Sequence, residues 1–294
     1  MSVVTSGLRG VHRVELVVAD PAATAAFYGA ETTLLPVDGA AAGTTLLRGP
    51  NTHVELHRAT AEAAAETPVE GPGITHVCFQ SPAEDGLFRR FIDRGATTVT
   101  RGGATVDLAG AGVTYGYARD TDGLMFEVEQ LDRPHFDGPF WIAHVAFATP
   151  DIDRLVDFYS ALIGKEPYRR VNKVMGPPVD EVTDLDGARM RAAWIDVGNM
   201  VLEFWQFISP PTPTTRIERA QGSPGFGAVV FEVDDLDAEV ERLASLGVAV
   251  SVDAAPGHFG RQASATDPDG NALRFVEIDD PQHSLERLAR REVD

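Results

Sequence analysis

One short pattern recurs along this chain, and the recurrence constrains its fold more than any other feature. Residues 74–83 read ITHVCFQSPA, residues 142–151 read IAHVAFATPD and residues 226–235 read FGAVVFEVDD, with a weaker copy, VHRVELVVAD, at 11–20. Each is an alternating apolar run, the period of a half-buried strand. A repeat of this kind means that each copy is one supersecondary unit, stable only when packed on its neighbours.

The segment after each copy repeats as well. In DIDRLVDFYSALIG the apolar residues Ile152, Leu155, Val156, Tyr159, Leu162 and Ile163 fall at helical spacing, with Asp151 and Asp153 at the start and Gly164 as the stop. DDLDAEVERLASLG, ending at Gly247, and EDGLFRRFIDRG, ending at Gly95, read the same way, and PAATAAFYG is a shorter version. Each copy closes on a further strand: THVELHRA at 52–59, LMFEVEQ at 124–130, MVLEFWQF at 200–207 and ALRFVEI at 272–278. Matching turns, DTDG at 120–123 and DPDG at 267–270, precede two of them. The chain therefore reads as an α+β protein of four βαβββ modules, divided at 1–72, 73–139, 140–223 and 224–294, with a terminal helix expected from Pro281.

Composition narrows the function classes. With 44 acidic and 25 basic residues the net charge is −19, a surface that repels nucleic-acid phosphates and anionic lipid. No apolar run approaches the length of a membrane span, and MSVVTSGLRG is not patterned as a secretory signal. The lone cysteine, Cys78, excludes an intrachain disulfide. A cytoplasmic protein with a small-molecule substrate is expected, with neither nucleic acid nor membrane as partner.

HVAFATPDIDRLVDFYSALIG with its downstream G-N-x-x-L-E-F strand, and HVCFQSP with DTDGLMFEVEQ, resemble the vicinal oxygen chelate superfamily over nearly the whole chain. That superfamily includes glyoxalases, epimerases, extradiol dioxygenases, antibiotic-resistance enzymes and metal-free drug-binding proteins. The resemblance implies that modules pair into cup-shaped, eight-stranded half-barrels. A metal would sit inside, held by one residue of each module's first strand and one of its last. Those positions are Arg13 and Glu55, His76 and Glu127, His144 and Glu203, and Ala228 and Arg274. Contiguous pairing of modules leaves both cups incomplete. Pairing the second with the third gives a full set, and leaves Arg13 and Glu55 to form an ion pair where a metal would otherwise sit.

Residue chemistry agrees with that assignment. Residues two apart in a strand share a face. His76 thus points with Cys78 and Gln80, Glu127 with Met125 and Glu129, and Glu203 with Val201, Trp205 and Phe207. A carboxylate on an apolar face is costly unless paired, protonated or bound to a cation. Two His and two Glu supply nitrogen and oxygen ligands suited to one divalent ion, zinc first, with manganese, iron, cobalt or nickel also acceptable. His53, Glu55 and His57 share a face and read as ion-pair partners for Arg13 rather than a second metal cluster. His12 is expected to face away from Arg13, and His135, His258 and His283 to lie on the surface. Cys78 reads as a small core residue. Trp194 and Trp205 read as wall and core, and the segment 169–182 as a lid or a surface connection.

Such a site points to proton transfer beside a carbonyl, with Glu127 and Glu203 as base and acid. Gln80, Tyr115, Glu129 and Trp205 are the candidates for contacting substrate. Cyclitol epimerases are the members most similar in overall plan, which implies a polyhydroxylated ring ketone, and a homodimer is implied by the resemblance. A glyoxalase-type reaction would use the same ligands. An extradiol dioxygenase would need ligands where Ala228 and Arg274 stand, and a drug-binding protein would not need the His/Glu pairs.

Overall fold

The computed structural model describes residues 6–38, 43–62, 66–216 and 220–290. Parts of the joints at 60–72 and 209–225 and the last four residues of the tail lie outside these. The first module supplies β1 (Leu8–Val18), α1 (Pro21–Glu31), β2 (Leu35–Val37), β3 (Thr44–Arg48) and β4 (His53–Arg58). The second supplies β5 (Gly73–Pro82), α2 (Leu87–Asp93), β6 (Thr97–Thr98), β7 (Val106–Asp107), β8 (Val113–Arg119) and β9 (Met125–Leu131). The third supplies β10 (Trp141–Ala148), α3 (Ile152–Ile163), β11 (Arg169–Met175), α4 (Pro177–Thr183), β12 (Arg189–Asp196) and β13 (Val201–Ser209). The fourth supplies β14 (Gly225–Val233), α5 (Leu236–Ser245), β15 (Ser251–Val252), β16 (Gly260–Thr266) and β17 (Ala272–Ile278).

These strands form two sheets, one for each half of a glyoxalase-like α+β fold. One runs β15-β16-β17-β14-β1-β4-β3-β2 and joins the first and fourth modules. The other runs β11-β12-β13-β10-β5-β9-β8-β6, with two-residue β7 added on β8 as a ninth strand, and joins the second and third. The first module therefore shares no sheet with the second, nor the third with the fourth. In the middle sheet β5 and β10 run antiparallel at the centre, and each pairs in parallel with its own module's last strand.

Those two pairs of modules meet instead through their helices. Tyr28 of α1 donates to the Asp120 carboxylate at 2.8 Å, and Tyr159 of α3 donates to Asp267 at 3.1 Å, so each Asp of the two matching turns receives a helix tyrosine. Arg90 of α2 caps α1 through the Glu31 carbonyl at 2.6 Å, and Arg242 of α5 caps α3 through the Leu162 carbonyl at 2.6 Å. These contacts satisfy helix-end carbonyls that have no partner within the helix. The helices start as their sequences dictate: the side chains of Asp151 and Asp235 accept from the backbone N–H three residues on, at 3.2 and 3.0 Å. Gly164 ends α3 in the left-handed region, φ 76°. The apolar helix faces and the backs of both sheets share one core that includes Phe79, Phe126, Phe147, Phe204, Phe231 and Phe275. No helix of the described residues is long and apolar enough to cross a membrane.

Two expectations are corrected. Among the described residues the tail from Pro281 holds no α-helix: a 3-10 turn, Leu285–Arg287, interrupts an otherwise irregular strap. The Leu285 N–H donates to the Glu232 carboxylate at 2.8 Å and the Ala289 N–H to the Pro50 carbonyl at 2.9 Å. Backbone groups committed to those distant partners cannot continue a helical ladder. His12 is fully buried rather than at the surface, because the strap covers it and His283 offers its carbonyl to Nε2 at 2.8 Å. A register shift between Val11 and Arg13 also brings His12 Nδ1 to 3.3 Å from the Arg13 guanidinium, so the two do not point apart.

Candidate metal centre

Strand register assembles the site in two rows. Across β9, β5 and β10, Glu127 stands opposite Cys78 and Cys78 opposite His144. Across β5, β10 and β13, His76 stands opposite Ala146 and Ala146 opposite Glu203. The middle residue of each row is small, which leaves the four longer side chains room to converge between the rows. Their ligand atoms all lie within 4.8 Å of one another. His76 Nε2 and His144 Nε2 are 3.3 Å apart. His144 Nε2 lies 2.9 Å from Glu127 Oε2 and 3.0 Å from Glu203 Oε2, while His76 Nε2 lies 3.3 and 3.6 Å from the same atoms. All four residues are buried, none more than 5% exposed.

The electrostatics of this cluster favour a positive charge at its centre. Burial opposes ionisation of all four groups. The opposed charges outweigh it, raising both imidazoles above the usual histidine range and lowering both carboxyls below theirs. Glu203 Oε2 is nonetheless buried without a hydrogen bond of normal geometry. Two buried carboxylates with two imidazole nitrogens that can release their protons to an ion fit a divalent cation, which would satisfy that orphaned oxygen.

Glu203 has a further partner. Trp194 Nε1 donates to Glu203 Oε1 at 2.6 Å, leaving Oε2 for the centre. Among the described residues no neutral side chain donates to Glu127 in the same way. Periodicity alone makes Trp194 a wall residue; its role depends on the register that sets it opposite Glu203 across β12 and β13.

The cluster opens into a cavity of about 520 Å³. Gln80, Tyr115, Glu129 and Trp205, the candidates for substrate contact, all line it. Gln80 donates to Glu129 at 2.5 Å while its own amide oxygen lacks a partner. Burial, and then the Glu127 charge, push the Glu129 carboxyl up to about 7. The segment 169–182 forms edge strand β11 and the start of α4, and both contribute wall residues to the cavity. Cys78 is buried against Trp141 and Ala143 in a small apolar cluster.

The other cup is closed by charge. Arg13 Nε donates to Glu55 at 2.6 Å and its terminal nitrogen to Glu15 at 3.0 Å, while Arg274 reaches Glu15 at 3.4 Å. Two guanidiniums balance two carboxylates with no ion required. Glu15 was not anticipated: it stands opposite Glu55 across β1 and β4, where Cys78 stands opposite Glu127. His57 lies 3.5 Å from Glu55, and His53 Nδ1 donates to the His12 carbonyl at 3.2 Å. Phe259 lies under the Arg13 guanidinium and fills the space beyond it.

Residues 10–128 and 141–275 both match the family model of the Glyoxalase/Bleomycin resistance protein/Dioxygenase superfamily. The chain belongs to that superfamily. Among solved structures, this superfamily member is similar to glyoxalase I from Zea mays, at 22% identity and TM-score 0.63, over 91% of this chain and 92% of that one. A variant of the same maize enzyme matches at 20% identity and TM-score 0.65, over 95% and 96% of the two chains. A putative dioxygenase from Bacillus subtilis matches at 13% identity and TM-score 0.62, over 97% and 91%. At such identities the likeness is one of fold. No curated protein matches this member of the superfamily in sequence.

Proposed function

We propose that this protein is a divalent-metal-dependent isomerase or epimerase that moves a proton on the carbon beside a carbonyl, with a small polyhydroxylated ring ketone as substrate. The observation that carries the reading is the convergence of His76, Glu127, His144 and Glu203, the last three of which line a substrate-sized cavity. These four residues would hold the ion, zinc first among the candidates. When bound, it supplies Lewis-acid polarisation of the carbonyl oxygen and charge stabilisation of the enolate.

The residues then divide the work. Glu127, without a neutral donor holding it, takes the proton. Glu203, its Oε1 held by Trp194, is anchored, and its Oε2 faces the centre from the other row, placed to return a proton on the opposite face. Gln80, Glu129 and Tyr115 form a polar wall suited to hydroxyl groups, and Trp205 an apolar one. All four ligands come from one chain, so the homodimer implied by the family is not needed to complete the site.

Metal content is the test. Protein purified without added metal is expected to hold about one divalent ion per chain, lost in His144→Ala and in Glu127→Ala. Deuterium uptake from solvent into hydroxy-ketones then identifies the reaction. Glyoxalase-type turnover of a thiol–aldehyde adduct without such uptake would shift the assignment to a lyase. An absence of metal, or metal indifferent to both substitutions, would overturn the reading.

A further inference from the structure

The rim of the cavity carries charge that the proton-transfer reading does not use. Along β11 the side chains alternate as far as Lys173, beyond which Val174 and Met175 both line the cavity. Arg170 turns outward, with guanidinium nitrogens 3.7 Å from Asp153 and 3.8 Å from Asp157, whereas Arg169, Val171 and Lys173 line the cavity. Among the described residues neither Arg169 nor Lys173 has a carboxylate within ion-pairing distance, although acids outnumber bases 44 to 25 in the chain. Arg191, on the neighbouring strand, behaves like Arg170 and pairs with Asp153 at 2.8 Å. Arg170 and Arg191 are thus neutralised, whereas Arg169 and Lys173, the two that face the cavity, are not.

Arg169 is also held in place. Its guanidinium carbon lies 4.9 Å from the centroid of the Trp194 ring, a cation–π contact. The same indole donates to Glu203. In register, Arg169 stands opposite Trp194 and Trp194 opposite Glu203, so two strand spacings, about 10 Å, separate the rim cation's backbone from that of the metal-ligand candidate. A surface this acidic repels anions at long range, so adventitious anion binding is disfavoured. Two unneutralised cations at the rim, one of them held by Trp194 two strand spacings from Glu203, are then a specific feature.

We infer that the substrate is an anion: the ketone bears an oxyanion, carboxylate or phosphate, remote from the reacting carbon, and Arg169 and Lys173 bind it at the rim. The guanidinium offers a planar fork to two oxygens, and the ammonium a flexible point charge. The inference deepens the proposed proton-transfer function and rests on it for the identity of the other end of the substrate. It also gives the cavity a polarity, with carbonyl down at the His/Glu cluster and negative charge up at β11.

The test uses calorimetric titration of the full-length, metal-loaded protein with three probes: dihydroxyacetone, dihydroxyacetone phosphate and 5-hydroxylevulinate, whose carboxylate is two methylenes from the ketone. At least one anionic probe should bind about tenfold more tightly than the neutral one, or better. Whichever anion binds more tightly identifies phosphate or carboxylate as the group recognised. In Arg169→Gln/Lys173→Gln the advantage should fall by about tenfold with metal content unchanged, and Arg169→Lys should keep part of it. Both residues are solvent-exposed, so the variants are expected to fold, which their melting curves check. Equal binding of all three probes would overturn the inference. So would an anion advantage that survives the double substitution, since the charge would then be recognised elsewhere. Should the protein hold no metal, the proton-transfer reading fails by itself. The same titration of the metal-free protein then decides separately whether the rim selects anions.

Discussion

Asn51 and Asn199 each donate a side-chain hydrogen bond to the other's backbone carbonyl, at 2.7 and 2.8 Å, and so join the two sheets. Each also closes a second pair of bonds. Asn51 brackets the N–H and carbonyl of Ile142 at 3.2 and 2.8 Å, and Asn199 brackets those of Val11 at 3.0 and 2.9 Å. All of this is buried. Asn199→Ala would orphan the Val11 N–H and the Asn51 carbonyl together, whereas the Val11 carbonyl keeps the Thr52 hydroxyl at 2.7 Å. At roughly 1–3 kcal/mol for each buried group left unpaired, a loss of about 2 kcal/mol or more is expected in urea unfolding. Asn51→Ala/Asn199→Ala should cost less than the sum of the single changes, because the two share partners. Additive costs would mean that the pair does not act as a unit.

Much of the architecture was legible because period-two alternation fixes which strand residues share a face. That is why His76 and His144, or Glu127 and Glu203, could be matched across repeats before any register was known. What was not legible depends on which strand lies beside which. The Trp194 bond to Glu203 exists only because the turn between β12 and β13 sets one particular register, and a one-residue slip would turn the indole to the other face. Glu15 joins Arg274 across 259 positions of sequence. The asparagine pair left a local trace, a Pro-Asn or Gly-Asn step before the last strand of the first and third modules, but no signal that the two would meet. The tail carried helix-forming residues, and tertiary bonds to Glu232 and Pro50 overrode them.

The closed cup predicts a signature in acid. Burial raises the Glu55 carboxyl, but His57 and Arg13 more than offset this and hold it down at about 2. Arg13, bonded at 2.6 Å, is the firmer partner of the two. A carboxyl lower in the folded than in the unfolded chain stabilises the fold above its unfolded value of 4.5, and that stabilisation is lost as pH falls from there toward 2. The shift corresponds to about 3 kcal/mol. Unfolding free energies measured from pH 7 to pH 3 should therefore fall less steeply for Glu55→Gln than for the native chain. The variant should also be weaker at pH 7. Parallel pH profiles would show that Glu55 is not held ionised by this network.

Trp194→Phe keeps the ring and removes the donor to Glu203. Partners that orient a ligand are typically worth 10–100-fold in metal affinity. Chelator competition should show a loss of about that size, and the metal-free protein should lose about 1–3 kcal/mol as well, because the buried Glu203 Oε1 is left without its donor. Unchanged affinity would return Trp194 to the role of a wall.

The asymmetry between Glu127 and Glu203 makes a sharper distinction. If Glu127 takes the proton and Glu203 returns one from the other row, the two amide substitutions should fail differently at saturating metal. Glu127→Gln removes the group that abstracts the proton, so solvent deuterium should enter the substrate about 10²–10⁴-fold more slowly, and inversion should stop with it. Glu203→Gln leaves abstraction possible. Exchange should continue, but Glu127 would hand the deuteron back to the face it came from, so label accumulates without inversion. Its metal affinity should also drop, because the amide offers no charge to the ion, and this separates ligation from proton delivery. Deuterium uptake and optical rotation monitored in the same sample read both quantities. Inversion that keeps pace with exchange in Glu203→Gln would assign the second proton transfer to another group, with Glu129, two residues beyond Glu127 on the same face of β9, the next to test.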